Sequence, residues 1–218
     1  MSITVLSPHL DDAVLGLGQY LDAKPPATVI TVFAGIPEGG FLGPYDRACG
    51  FESSRQAMER RRHEDVLACG MLDATAIHWD FLEAQYLAPP DRTAITEAII
   101  AVLPKRPEDR LFAPLGLAHP DHRLLAKCAR DAMQQRQPYG ELYIYEELPA
   151  RVDFPGEAAR QLELLRMEGW RVPDMVAPLQ CGSLDRKKQA IVRYVSQFPA
   201  GADNPAMLVG ERAWRCSR

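Results

Sequence analysis

The sequence is short of the residues that mark several common function classes. Its five cysteines, Cys49, Cys69, Cys128, Cys181 and Cys216, are scattered and odd in number, with no C-x-x-C among them. That argues against a disulfide framework and against a thiolate metal site, and it points to a reducing, cytoplasmic setting. No basic run goes beyond Arg60-Arg61-Arg62 and the net charge is −4. Neither nucleic acid nor an anionic membrane is therefore an expected partner. No apolar stretch reaches the ~18 residues of a membrane helix, and residues 1–7 lack the basic and apolar regions of a signal peptide. Repeats, low-complexity tracts and linkers are missing too, so 1–218 reads as one domain.

What is present alternates between two kinds of segment. Residues 2–6 form a β-branched apolar run, and Val14, Leu15, Leu17 and Leu21 follow at helical spacing. A second buried run spans 28–33. Strand, helix, strand at this spacing is a βαβ unit. Further strands are expected at 76–79, 110–113 and 142–145, and helices at 54–69, 93–103, 123–135, 156–168 and 184–197. The pattern predicts an α/β fold: a Rossmann-like, doubly wound, mainly parallel sheet with helices on both faces. Ligands of such sheets bind outside the carboxyl ends of the strands. The segments 7–12 and 115–122 both follow strands, so they should open on one edge. The Gly- and Pro-rich stretch 35–52 is long for a loop in a compact domain, which suggests a role at the site.

Histidine is also scarce, and its distribution is uneven. Three of the five histidines fall in two short motifs, His9-Leu10-Asp11-Asp12 and His119-Pro120-Asp121-His122. Imidazole and carboxylate are the ligands zinc takes when thiolates are absent, and a catalytic zinc keeps three protein ligands and an open position. Each motif offers donors at i and i+3, so His9, Asp12, His119 and His122 are all candidates. Taken singly, each motif has a plainer account: Asp11 or Asp12 as a helix N-cap, and His119-Pro120-Asp121 as a turn before a helix. Two such motifs on one sheet edge are harder to explain without a site. Gly16-Leu17-Gly18 does not make a dinucleotide motif. It lies within the helical stripe, lacks a third glycine, and the turn before it holds two carboxylates.

Ser7-Pro8-His9-Leu10-Asp11-Asp12-Ala13, with His119-Pro120-Asp121-His122 downstream, resembles the PIG-L/LmbE-like deacetylases. Supporting stretches are Arg61-Arg62-His63-Glu64-Asp65, Tyr145-Glu146-Glu147-Leu148-Pro149, and Lys187 with Tyr194-Val195-Ser196-Gln197. The resemblance implies a zinc-dependent amide hydrolase that removes an N-acyl, chiefly N-acetyl, group from an amino sugar or related small molecule, with iron(II) an alternative metal. It implies zinc on His9, Asp12 and His122, Asp11 as general base on the metal's water, a protonated His119 facing the oxyanion, and Asp121 tuning that histidine. Leu10 and Ala13 depart from the family's commonest motif, which has proline and glutamate there. Neither is a ligand or the base. Other chemistry that one metal and one base would serve is ester or phosphoester hydrolysis; a silent glycan- or partner-binding relative is the remaining alternative.

Weaker candidates for substrate contact are Arg61 and Arg62 on the helix at 54–69, and Asp80, Glu83 and Tyr86 after the third strand. Their plainer roles are a salt-bridged helix face and a polar loop. A pocket is expected between the segments 35–52 and 80–90.

Overall fold

The structure is a computed structural model and describes residues 1–23, 26–86, 90–136, 140–177, 179, 181–199 and 201–217. Its strands are β1 (Ile3–Ser7), β2 (Ala27–Thr31), β3 (Ala74–His78), β4 (Arg110–Pro114), β5 (Glu141–Tyr145) and β6 (Ala213–Cys216). Its helices are α1 (Asp12–Ala23), α2 (Pro44–Ala48), α3 (Ser54–Gly70), α4 (Arg92–Val102), α5 (Pro120–Gln135), α6 (Ala150–Asp153), α7 (Glu157–Met167) and α8 (Leu184–Ile191).

One sheet holds the strands in the order β3-β2-β1-β4-β5-β6. The first five run parallel, and β6 closes the edge antiparallel to β5. Side chains alternate between two cores, as strands covered on both faces require. Ile3, Val5, Phe112, Tyr143 and Tyr145 pack with α1, α3 and α8 on one face. Leu6, Leu111, Ala113, Leu142 and Ile144 pack with α4, α5 and α7 on the other. The doubly wound expectation therefore holds.

The order of winding across the sheet reverses between β1 and β4, which are parallel paired neighbours, Ile3 opposite Arg110. This switch point is where such sheets leave a crevice at the carboxyl ends of the strands. The two histidine motifs follow those two strands.

Several boundaries differ from the sequence expectation. The helix expected from 123 begins at Pro120, since proline without an N–H suits a first helical position. His122 thus sits on the first turn of α5 rather than in a loop. The helix expected over 184–197 stops at Ile191, and the turn beyond it brings Ser196 onto Glu64 and Gln197 onto the Leu10 carbonyl. β6 was not expected: four residues containing Arg215 carry too little pattern.

Helix α1 is broken at Leu17, whose φ is −139°. Lys187 and Glu211, both buried, take up the freed backbone groups. Lys187 Nζ donates to the Leu15 carbonyl at 2.6 Å and to Glu211 at 2.8 Å, while Glu211 accepts from the amides of Gln19 and Tyr20. A Cβ on Gly18 would meet Lys187 Cγ at 2.8 Å, so the glycine at 18 admits this ion pair. The short first half of α1 is left to carry Asp12 into the crevice.

Candidate metal centre

The turn after β1 is pinned by Ser7, whose hydroxyl donates to the His9 carbonyl at 2.8 Å and accepts from the Ala13 amide at 3.0 Å. Leu10 is buried with Ala34, Met58 and Tyr86, and Ala13 lies in the core beneath α1. Both departures from the family motif are thus packing positions. The alternation leaves His9, Asp11 and Asp12 facing the crevice.

Three donors converge there. His9 Nδ1 is 3.5 Å from Asp12 Oδ2, His122 Nε2 is 3.1 Å from the same oxygen, and the two nitrogens are 3.2 Å apart. Nitrogen and oxygen ligands of a tetrahedral zinc-sized ion stand about 3.3 Å from one another, given bonds near 2.0–2.1 Å. The triangle therefore has the size such an ion needs. His119 is half-exposed on the open side. Its ring completes a looser set with His9 and His122, with ligand atoms within 4.8 Å of one another.

The carboxylates behind the triangle fix the rings. His9 Nε2 is 3.0 Å from Asp121 Oδ2, which also accepts from the Ala84 amide at 3.0 Å. A proton held on Nε2 leaves Nδ1 as the lone pair that faces Asp12. Asp121 lies farther from His119, at 3.7 Å. His119 Nδ1 accepts from the Asp121 amide at 3.2 Å. Asp121 is thus placed to orient His9 rather than His119, which corrects the sequence expectation.

The electrostatics follow from burial and from the neighbours. Burial works against charge on His122, but Asp12 and Glu147 outweigh it and raise its pKa to about 9. His9 is raised well above the usual imidazole value in the same way, with Asp12 and Asp121 overcoming burial. The two imidazoles in turn hold Asp12 far below the usual carboxylate range against burial. Asp11 behaves oppositely. Burial and then the charge of Asp12 raise its carboxyl to about 7, and no side-chain hydrogen bond ties it among the described residues. His119 is lowered to about 4 by burial and by His9. Its Nδ1 accepts a backbone amide, so the neutral ring carries its proton on Nε2.

A cleft of about 250 Å³ opens over the triangle, lined by Asp11, Tyr45, Glu83, Gln85, His119 and Gln197 with His9 and Asp12 at its floor. It lies between the segments 35–52 and 80–90, as expected; residues 87–89 lie outside the described residues. Of the weaker candidates, Glu83 lines the cleft. Arg61 is fully buried, paired with Asp46 at 2.7 Å, and backs the Tyr45 ring at 4.8 Å. Tyr86 donates to Asp46 at 3.0 Å. Arg62 pairs with Asp80 at 2.6 Å and donates to the Ala34 carbonyl at 2.7 Å. These four build the walls and do not reach the cleft. Tyr45, Gln85 and Glu147 escaped the sequence reading as site residues. Tyr45 stands in the conspicuously long loop, and Glu147 and Gln197 in stretches singled out only as patterns.

No protein-family model and no curated protein matches the chain. Solved structures do. The zinc-inhibited form of teicoplanin deacetylase Orf2 superposes with a TM-score of 0.76 and 23% identity, over 100% of this chain and 98% of that one. The chain has its fold. N,N'-diacetylchitobiose deacetylase from Pyrococcus horikoshii shares it at a TM-score of 0.52 and 18% identity, over 91% and 71% of the two chains. So does GalB, the 4-carboxy-2-hydroxymuconate hydratase from Pseudomonas putida KT2440, at 0.56 and 17%, over 99% and 95%. The fold therefore houses more than one reaction, and the reaction of this chain has to be argued from its site.

Proposed function

We propose that the protein is a PIG-L/LmbE-like, zinc-dependent amide hydrolase that removes an N-acyl, chiefly N-acetyl, group from an amino sugar or related small molecule. One observation carries the reading: the donor triangle of His9, Asp12 and His122 has an untethered carboxylate, Asp11, at its open side. Nitrogen and carboxylate donors in a tetrahedral triangle suit zinc; iron(II) accepts the same set. When bound, the metal supplies Lewis acidity to the amide carbonyl and to water.

The residues divide the remaining work. Asp11, raised to about 7 in the metal-free site, is poised to take a proton near neutrality and return it to the leaving amine; a dication beside it pulls that value down. His119 faces the cleft with an Nε2 proton and donates to the oxygen on which negative charge develops. Asp121 keeps His9 in register. The cleft lining holds Asp11, Asp12 and Glu83 and neither lysine nor arginine. Apart from the metal, an anionic ester finds no cationic partner among these groups, whereas a neutral amide and its cationic amine product suit them, which favours the amide reading over phosphoester hydrolysis. The fold shared with two deacetylases supports the reaction class. No helix among the described residues is long and apolar enough to cross a membrane.

The decisive experiment measures metal content and acetate release together. Purified protein should hold about one zinc and release acetate from members of a panel of N-acetylated sugars, with activity lost on chelation and restored by zinc. Turnover of acyl or phosphate esters with none of amides would sink the proposed reaction.

A further inference from the structure

Glu147 follows β5 and is fully buried, yet the roles above leave it unused. Its Oε1 accepts from the amides of Gly116 and Leu117, both at 2.9 Å, and its Oε2 from the amide of Leu115 at 3.1 Å. These three donors are the inner curve of the loop between β4 and α5, where Gly116 takes a left-handed φ of +94°. A Cβ there would meet the Ala126 methyl at 2.9 Å. Successive amides turned inward in this way form a nest for an anion, and here the anion is a side chain of the protein itself. The same Oε1 lies 3.2 Å from His122 Nδ1, an ion-pair distance at which the ring N–H is not aligned for a hydrogen bond. One carboxylate therefore grips the loop that carries His119 and abuts the back of the ring whose front faces Asp12 and His9.

Resting on the metal reading of the preceding section, we propose that Glu147 is a positioning residue: it holds a proton on His122 Nδ1 and so presents the Nε2 lone pair to the metal. Carboxylate, imidazole and metal in series fix both ring orientation and tautomer, and the anionic oxygen makes Nε2 a stronger donor. Asp121 does the same for His9 from the other side of the triangle, with the nitrogens exchanged. The two loops thus deliver opposite ring nitrogens to one point, each because of the carboxylate behind it.

Glu147→Gln tests the charge while keeping the shape. A glutamine has one acceptor oxygen for four converging donors, so its amide must face Leu115 N–H while a neutral oxygen faces His122. Zinc affinity, measured by chelator competition on folded protein, should fall about 10–100-fold, and Glu147→Asp should recover part of it. A folded Glu147→Gln protein that binds zinc within about twofold of the parent, however much its melting temperature drops, overturns the proposal. A purely structural clamp would behave that way. Should the variants fail to fold, nitrogen-15 spectra of the zinc-loaded parent decide. A protonated Nδ1 and a metal-bound Nε2 on His122 are expected, and the reverse assignment overturns the proposal alone. A parent that binds no zinc overturns the metal reading as well, so the two failures are distinct.

Discussion

Two histidine–aspartate pairs lie at the carboxyl edge of the same sheet, and only one opens onto the cleft. His9 and Asp121 are 3.0 Å apart; His78 and Asp65 are 2.9 Å apart. Residue types, distances and burial are alike. What differs is where the remaining valences go. Asp65 is closed from every side, by Tyr194 at 2.7 Å, Thr31 at 3.4 Å and the Cys69 thiol, so the cluster satisfies itself between α3, β2 and β3. At His9 the second ring nitrogen faces two more donors across an open cleft, and the adjacent Asp11 carboxylate has no hydrogen-bonded partner among the described residues. Convergence with one side left open, rather than a buried His–Asp pair as such, separates a reactive site from a structural one.

The comparison breaks most sharply if the ligands are removed. Asp12→Ala or His122→Ala should abolish stoichiometric zinc and reduce activity to background; retention of zinc by both variants would end the assignment. Asp11→Asn should keep the zinc and lose activity by roughly 10²–10⁴-fold, the range for a removed general base. Full activity in that variant would mean that the unpartnered carboxylate is idle. In the active parent, kcat/KM should rise with pH along an acid limb whose midpoint is at or below about 7, because Asp11 must be unprotonated to act.

Metal binding itself should depend on pH, with a sign that follows from the raised imidazoles. The carboxylates around His9 and His122 favour the protonated imidazoles in the metal-free site, so metal binding must displace a proton there. Apparent zinc affinity should fall by about tenfold for each unit that pH drops and each proton displaced, so that log affinity rises with pH between 6 and 8 with a slope between about one and two. A flat profile would contradict the paired carboxylates. The same raised values stabilise the metal-free fold below about pH 6.5, and this contribution fades as pH rises through about 9.

The contrast between the two clusters also explains what could be read from sequence. Alternation of apolar runs gave the sheet and its two covered faces, and the spacing of His9 to Asp12 and His119 to His122 gave the edge and the four donor candidates. These are local signals, carried by residues close in the chain. Which donors form the tight triangle depends on a register between β1 and β4, more than a hundred residues apart, and is invisible to spacing. Glu147 depends on a left-handed turn at Gly116 that sequence does not announce, and the inward turn of Arg61 depends on Asp46 in α2, a five-residue helix too short to show periodicity. Asp121 stands between two histidines for a similar reason: His119 is its neighbour in sequence at 3.7 Å, His9 its nearer neighbour in space at 3.0 Å.

The smallest effect expected falls on the closed cluster. Tyr194→Phe removes a buried hydroxyl that donates to the Asp65 carboxylate, a bond worth about 1.5–3 kcal/mol with a charged acceptor. For a chain of this length that corresponds to a fall in melting temperature of roughly 3–12 °C. Zinc stoichiometry and the pH slope of zinc affinity should be unchanged, because Asp65 and His78 make no hydrogen bond to the triangle. Should Tyr194→Phe instead weaken zinc binding while leaving stability intact, the two His–Asp pairs would be parts of one functional network. The line drawn between an open site and a self-satisfied cluster would then lie in the wrong place.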